Sequence, residues 1–106
     1  MNNQVVVKML KGMLEVIILQ MLDAEPMHGY GVISRIRKKF GVYFGPSTIY
    51  PMLTKMEKQG YVKSQWNMDN ERPRKVYSVT DSGRALLAES CTGLQIIIKP
   101  LALVPA

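Results

Sequence analysis

The sequence predicts a mostly α-helical fold with a small two-stranded antiparallel β-hairpin. Three observations carry this prediction. Apolar residues recur at helical spacing up to Gly60, the period shortens to two between Val62 and Thr80, and helical spacing then returns.

The first helix is expected from Val7 to Met21, where Val7, Leu10, Leu14, Ile17 and Met21 repeat at steps of three and four on one face. Pro26 marks a stop. Tyr30, Ile33, Ile36 and Phe40 then define a second helix, with Gly41 as its terminator. Gly45, Pro46 and Ser47 form a turn in which Ser47 or a neighbour caps a third helix, with Pro51 in or near its first turn. Ile49, Leu53 and Met56 face the core and Gly60 closes that helix.

Beyond Gly60, Val62, Ser64, Trp66 and Met68 alternate with Lys63, Gln65 and Asn67, as in a strand. Trp66 on the apolar side of that strand reads as a packing residue. Asp69 to Pro73 form a polar loop, and Tyr77 and Val79 alternate with Val76 and Ser78 in a returning strand. Thr80 is the expected cap of a last helix, with Asp81 complementing its dipole. Leu87, Cys91, Leu94, Ile98 and Leu101 recur at four, three, four and three, the seam of a helix that packs lengthwise on another. Pro100 should end that helix near residue 99.

A chain of 106 residues fits one domain with short appendages. The expected division is a unit over residues 1–80 and a C-terminal helix with an apolar tail over 81–106. Fourteen Lys and Arg against eight Asp and Glu give a net charge of +6, which favours polyanionic partners. The cations cluster at Arg35, Arg37, Lys38 and Lys39, which read as a solvated helix face, and at Arg72, Arg74 and Lys75. Cys91 has no internal disulfide partner, and the N-terminus lacks the pattern of a secretory signal, so a cytoplasmic location is expected. The apolar run from Met13 to Leu22 is roughly half the ~20 residues a bilayer requires, so no membrane partner is expected.

The order helix, helix, turn, helix, hairpin, helix is that of a winged helix-turn-helix unit followed by a C-terminal dimerisation helix. In such a unit the third helix shows apolar residues inward and short polar or basic ones outward. Ser47, Thr48, Tyr50, Thr54, Lys55 and Lys58 meet that requirement for base edges and phosphates of duplex DNA. Tyr50 has two readings, as a phosphate contact or as a core ring. The wing needs cations for the phosphate backbone, and Arg72, Arg74 and Lys75 supply them beside Asn70 and Pro73.

The sequence resembles the PadR family of transcription regulators. The resemblance rests on Leu10-Lys-Gly-Met-Leu-Glu15, His28-Gly-Tyr-Gly31, Gly45-Pro-Ser-Thr-Ile-Tyr-Pro51, Leu53 through Glu57 to Gly60, Trp66, Arg72-Pro-Arg-Lys-Val-Tyr77 and Thr80-Asp-Ser-Gly83. It implies a homodimeric regulator, usually a repressor, on an inverted-repeat operator, with Tyr50 and the wing cations as DNA contacts. It also implies dimerisation through the first and last helices, here the Leu10, Leu14 and Ile17 seam and the Leu87, Cys91, Leu94, Ile98 and Leu101 seam. Several members sense a small aromatic or cationic molecule at that interface. The apolar, proline-containing segment from Ile96 to Ala106 departs from the regular amphipathic end of the family.

The alternative is a winged-helix protein-interaction module whose basic face meets an acidic protein without operator DNA. An enzyme is not expected. His28 is the only histidine, stands apart from any carboxylate or cysteine cluster, and reads as structural at the start of the second helix, so no metal and no cofactor are expected. Cys91 reads as a small buried hydrophobe.

Overall fold

The computed structural model describes residues 3–68 and 72–101. Asn70 of the expected wing loop and the tail beyond Leu101 lie outside the described residues. The elements are α1 (Asn3–Ala24), β1 (Met27–His28), α2 (Gly29–Phe40), α3 (Pro46–Lys58), β2 (Val62–Asn67), β3 (Arg74–Val79) and α4 (Asp81–Ile98). The mostly α winged-helix class is as expected, but the sheet has three strands in the order β1-β3-β2, not two. The added strand pairs Met27 with Tyr77 and His28 with Val76. Two residues are too few to show a twofold period, which is why the pattern did not reveal it.

α1 runs past the expected range at both ends. Its second half packs Ile17, Ile18, Leu19, Met21 and Leu22 inward together, so it crosses the middle of the core. α2 adds Val32, Ile33 and Ile36, α3 adds Ile49, Leu53 and Met56, and the sheet adds Val62, Tyr77 and Val79. Tyr30 and Phe40, expected on the core face of α2, are exposed. The buried stripe is rotated toward Gly29 and Val32, because α3 packs on that side.

α3 begins without a side-chain cap. Gly45 holds the cap position and Pro46 the first turn, while the Gly45 carbonyl accepts from the Thr48 and Ile49 N–H groups at 3.0 Å each. Ser47 is therefore a helical residue and not the cap, and Pro51 lies inside the helix, beyond the first turn. It cannot donate to the Ser47 carbonyl. The helix ends as expected at Gly60, whose φ of 83° lets the Gly60 N–H reach the Glu57 carbonyl and the Tyr61 N–H reach the Met56 carbonyl, both at 3.0 Å.

That turn is tied to the start of α4. The Thr80 N–H donates to the Tyr61 carbonyl at 3.1 Å, and its hydroxyl donates to the Gly60 carbonyl at 2.6 Å. The same hydroxyl oxygen accepts from the Gly83 N–H at 3.0 Å, so Thr80 is the expected cap. Gly83 sits against the Tyr61 carbonyl so closely that a Cβ there would overlap its oxygen and come within 2.8 Å of Val79 Cγ2. Gly93, further along α4, faces open space.

The two glycines should respond to alanine in opposite directions. Gly83→Ala should destabilise by about 1–3 kcal/mol, since a backbone oxygen must move, whereas Gly93→Ala should stabilise by about 1 kcal/mol as a helical glycine replaced in free space. Urea midpoints moving in the same direction for both would contradict the packing described. A pH dependence is expected from Tyr77, a buried ring at the sheet centre whose phenol is pushed up by burial first, then by Glu57 and Tyr50. A raised folded-state value contributes stability that is complete below the unfolded phenol value of about 10 and is lost as pH rises through the folded value. The urea midpoint of the parent should fall relative to that of Tyr77→Phe as the pH rises across that range.

Candidate nucleic-acid interface

α3 divides cleanly along its length. Ile49, Leu53 and Met56 are almost fully buried, while Ser47, Tyr50, Thr54, Lys55 and Lys58 are exposed and Thr48 is half-buried. The outward side chains follow helical spacing and form one face. Thr54 Oγ1 donates back to the Tyr50 carbonyl at 3.0 Å, which settles its rotamer on that face. Lys55 and Lys58 join no ion pair among the described residues.

The hairpin stands beside this face. Its register pairs Asn67 with Arg74, Trp66 with Lys75 and Ser64 with Tyr77. Arg72 and Arg74 are exposed at the base of the wing. Lys75 is half-buried. Its Nζ lies 3.7 Å from Glu57 Oε1 and 5.8 Å from the centre of the Tyr77 ring. Glu57 also accepts from Ser64 Oγ at 2.5 Å, so one carboxylate joins α3, β2 and β3. Lys75 thus has a carboxylate partner that Arg72 and Arg74 lack among the described residues.

Trp66 does not pack in the core. It is 60% exposed, because only Val62 of β2 is buried and the strand leaves the body of the molecule beyond Ser64. Tyr50 takes an intermediate position. It is 40% exposed and its ring lies across Gly29, where any Cβ would collide with it. One edge of Tyr50 is packed on α2 and the other is open to solvent.

His28 caps α2, with Nδ1 accepting from the Gly31 N–H at 3.1 Å, which is the structural role expected of it. Its Nε2 lies 3.1 Å from Arg74 Nη1 on the hairpin. His28, Tyr30, Tyr50, Trp66, Arg72 and Arg74 line an open groove of about 570 Å³ between α2 and the hairpin. A second groove, of about 500 Å³, is lined by Tyr50, Pro51, Thr54, Lys55 and Lys58. Tyr50 borders both. Sequence reasoning missed Gly29, His28 and Tyr30 as parts of the first groove. The only signal was the His28-Gly-Tyr-Gly31 segment, whose partners are distant in the chain.

The expected association residues divide differently from the seams. Leu10, Leu14 and Ile17 are buried in the subunit's own core, because α1 packs on the rest of the chain by that stripe. The exposed large apolar residues of α1 are Val5 and Met9. On α4, Leu87, Leu94 and Ile98 are half-buried, Leu101 lies exposed just past the helix, and Cys91 is exposed, not buried as the sequence suggested. Arg35 pairs with Glu25 at 2.6 Å, and Arg37, Lys38 and Lys39 form a solvated last turn of α2. Among the described residues no cluster of His, Cys, Asp and Glu is arranged to hold a metal, and no helix is long and apolar enough to cross a membrane.

Comparison with known proteins gives three concordant findings. Residues 18–89 match the transcriptional regulator PadR-like family. The chain is 32% identical over 69 residues to Transcriptional regulator Rv3488 of Mycobacterium tuberculosis, covering 65% of this chain and 64% of that protein, so it spans a little under two thirds of the curated relative's length. Its fold is similar to that of a PadR family transcriptional regulator from Eggerthella lenta, with a TM-score of 0.85 and 27% identity over 94% of this chain and 88% of that one. It is also similar to Bacillus subtilis PadR, solved in complex with operator DNA, with a TM-score of 0.68 and 27% identity over 74% of this chain and 45% of that one. With the divided third helix and its adjoining hairpin, these matches show that the chain belongs to the PadR-like family of transcriptional regulators.

Proposed function

We propose that the protein binds duplex DNA sequence-specifically as a homodimer on an inverted-repeat operator and represses transcription there. The observation that carries the reading is α3, whose inner residues are locked in the core while Ser47, Tyr50, Thr54, Lys55 and Lys58 face outward beside the cationic base of the wing. Short polar side chains on such a rod suit base edges in the major groove, and flanking lysines and arginines suit phosphates. Operator DNA in the structure of the related Bacillus subtilis PadR supports the same partner for this chain. Repression follows if an occupied operator excludes the transcription machinery.

Association is assigned to the apolar surface that one subunit leaves open. Val5 and Met9 on α1 and Ile96 and Ile97 on α4 are all more than half exposed. Exposed apolar groups on helices of this kind suit a contact surface. In this reading residues 1–80 carry DNA recognition and 81–106, together with the exposed side of α1, carry association, with two α3 helices about 34 Å apart to match successive turns of B-DNA. A small aromatic effector would enter at the seam between subunits.

Two measurements test these assignments. On duplexes selected from genomic fragments, the Lys55→Ala, Lys58→Ala double variant should bind more weakly, and its plot of log affinity against log salt should be shallower by about 0.9 for each phosphate that the variant leaves unneutralised. An unchanged slope would remove α3 from the interface. Replacing Ile97 by Asp should shift the protein toward monomer in sedimentation velocity and weaken operator binding along with it. A dimer that persists in that variant and in Met9→Asp would place association elsewhere.

A further inference from the structure

Resting on the DNA-binding reading, we propose that His28, Tyr30 and Arg74 form a further station for one backbone phosphate of the bound duplex, at the junction of α2 and β3. The station is distinct from the outward face of α3.

Hydrogen-bond chemistry leads to this assignment. His28 Nδ1 accepts from the Gly31 N–H at 3.1 Å, so in the neutral ring the hydrogen is carried by Nε2. Arg74 Nη1 lies 3.1 Å from that Nε2, and a guanidinium has donors only. The two groups therefore cannot satisfy each other while the cap of α2 is intact. They are two donors converging on one region of space, and the group that satisfies both is an oxygen with several lone pairs. A negatively charged oxygen does so best, since it also answers the charge of Arg74.

The surroundings point the same way. Arg35, Lys75 and Arg84 each have a carboxylate within reach, whereas Arg74 has none among the described residues. Among the described residues no Asp or Glu lines the groove that holds Arg74, while Tyr30, 64% exposed, lies in it as a further hydroxyl donor and Arg72 adds a second cation. The groove is open, and it shares Tyr50 with the groove along Thr54, Lys55 and Lys58. An occupant that runs on from one groove into the other is a polyanion strand. A small anion would gain little from so open a site.

His28 thus has two jobs on two nitrogens. Nδ1 fixes the first turn of α2, and Nε2 meets the phosphate beside Arg74. His28→Asn separates them, because asparagine caps a helix as well as any residue but is too short to reach Arg74. Tyr30→Phe removes one hydroxyl and keeps the ring.

The test uses the full chain, a duplex selected from genomic fragments, and the same duplex with single phosphates replaced by neutral methylphosphonates. His28→Asn, Tyr30→Phe and Arg74→Gln should keep the parent's melting temperature and bind about ten- to 150-fold more weakly, the range expected when a hydrogen bond to a charged group is removed. One methylphosphonate position should weaken the parent but cost nothing more in His28→Asn or Arg74→Gln, while other positions remain additive. Additivity at every position overturns the station and leaves the α3 reading standing. If the parent binds no duplex, both fall. If inorganic phosphate at constant ionic strength competes at this site while no methylphosphonate position couples, the site belongs to a free phosphate-bearing ligand and the assignment to duplex is overturned.

Discussion

The knot that Thr80 ties between the α3–β2 turn and the first turn of α4 fixes the relative placement of everything else. Its backbone N–H, its hydroxyl hydrogen and its hydroxyl oxygen are all engaged, with Tyr61, Gly60 and Gly83. Gly83 makes the approach possible by presenting no side chain to the Tyr61 carbonyl. Because Tyr61 directly precedes β2 and Thr80 directly follows β3, the knot also closes the hairpin at its inner end. α3, the hairpin and α4 consequently share one origin. The angle between the outward face of α3 and the wing is set there by backbone contacts, whose geometry varies little with surface chemistry.

From that origin the hairpin projects outward, and a second set of contacts steadies it partway along. Glu57 receives Ser64 and Lys75, and Lys75 in turn lies over the ring of Tyr77. Exposed ion pairs are worth little. Glu57, however, is only about one third exposed and engages two strands at once, so its effect is one of placement. Cations of similar sequence context therefore differ in kind. Lys75 belongs to the framework, and Arg72 and Arg74 beyond it have no carboxylate partner among the described residues.

Most of the fold was legible because its signals are local and periodic. The α3 stripe of Ile49, Leu53 and Met56, the glycine stops at Gly41 and Gly60 and the Thr80 cap each depend on residues within a turn or two of one another. The third strand was not legible, since Met27 and His28 become a strand only by meeting Val76 and Tyr77. Trp66 was misplaced for a related reason. Alternation marks which side of a strand a residue occupies, but not where the strand leaves the core. Ser47 fits a cap by composition, yet Pro46 already fills the first helical position and moves the start two residues earlier.

The candidate site divides along the same line. The outward residues of α3 could be named from helical spacing alone, whereas the groove at the α2–β3 junction needed the tertiary pairing that brings His28 to Arg74. The seams on α1 and α4 could be recognised as apolar, but periodicity does not say whether a stripe faces its own subunit or another. Leu10, Leu14 and Ile17 turned out to face their own.

The ring of Tyr50 resting on the bare backbone of Gly29 has a consequence for how such a chain can diverge. Position 29 is not free to drift alone. A methyl group at 29 would evict the ring, and with it the side chain that two stretches of surface share. Among descendants of this sequence, a bulky residue at 29 should be found only where position 50 has already become small. The neighbouring polar residues of α3 are under no such bond, and they are where new preferences can arise while the scaffold is inherited unchanged.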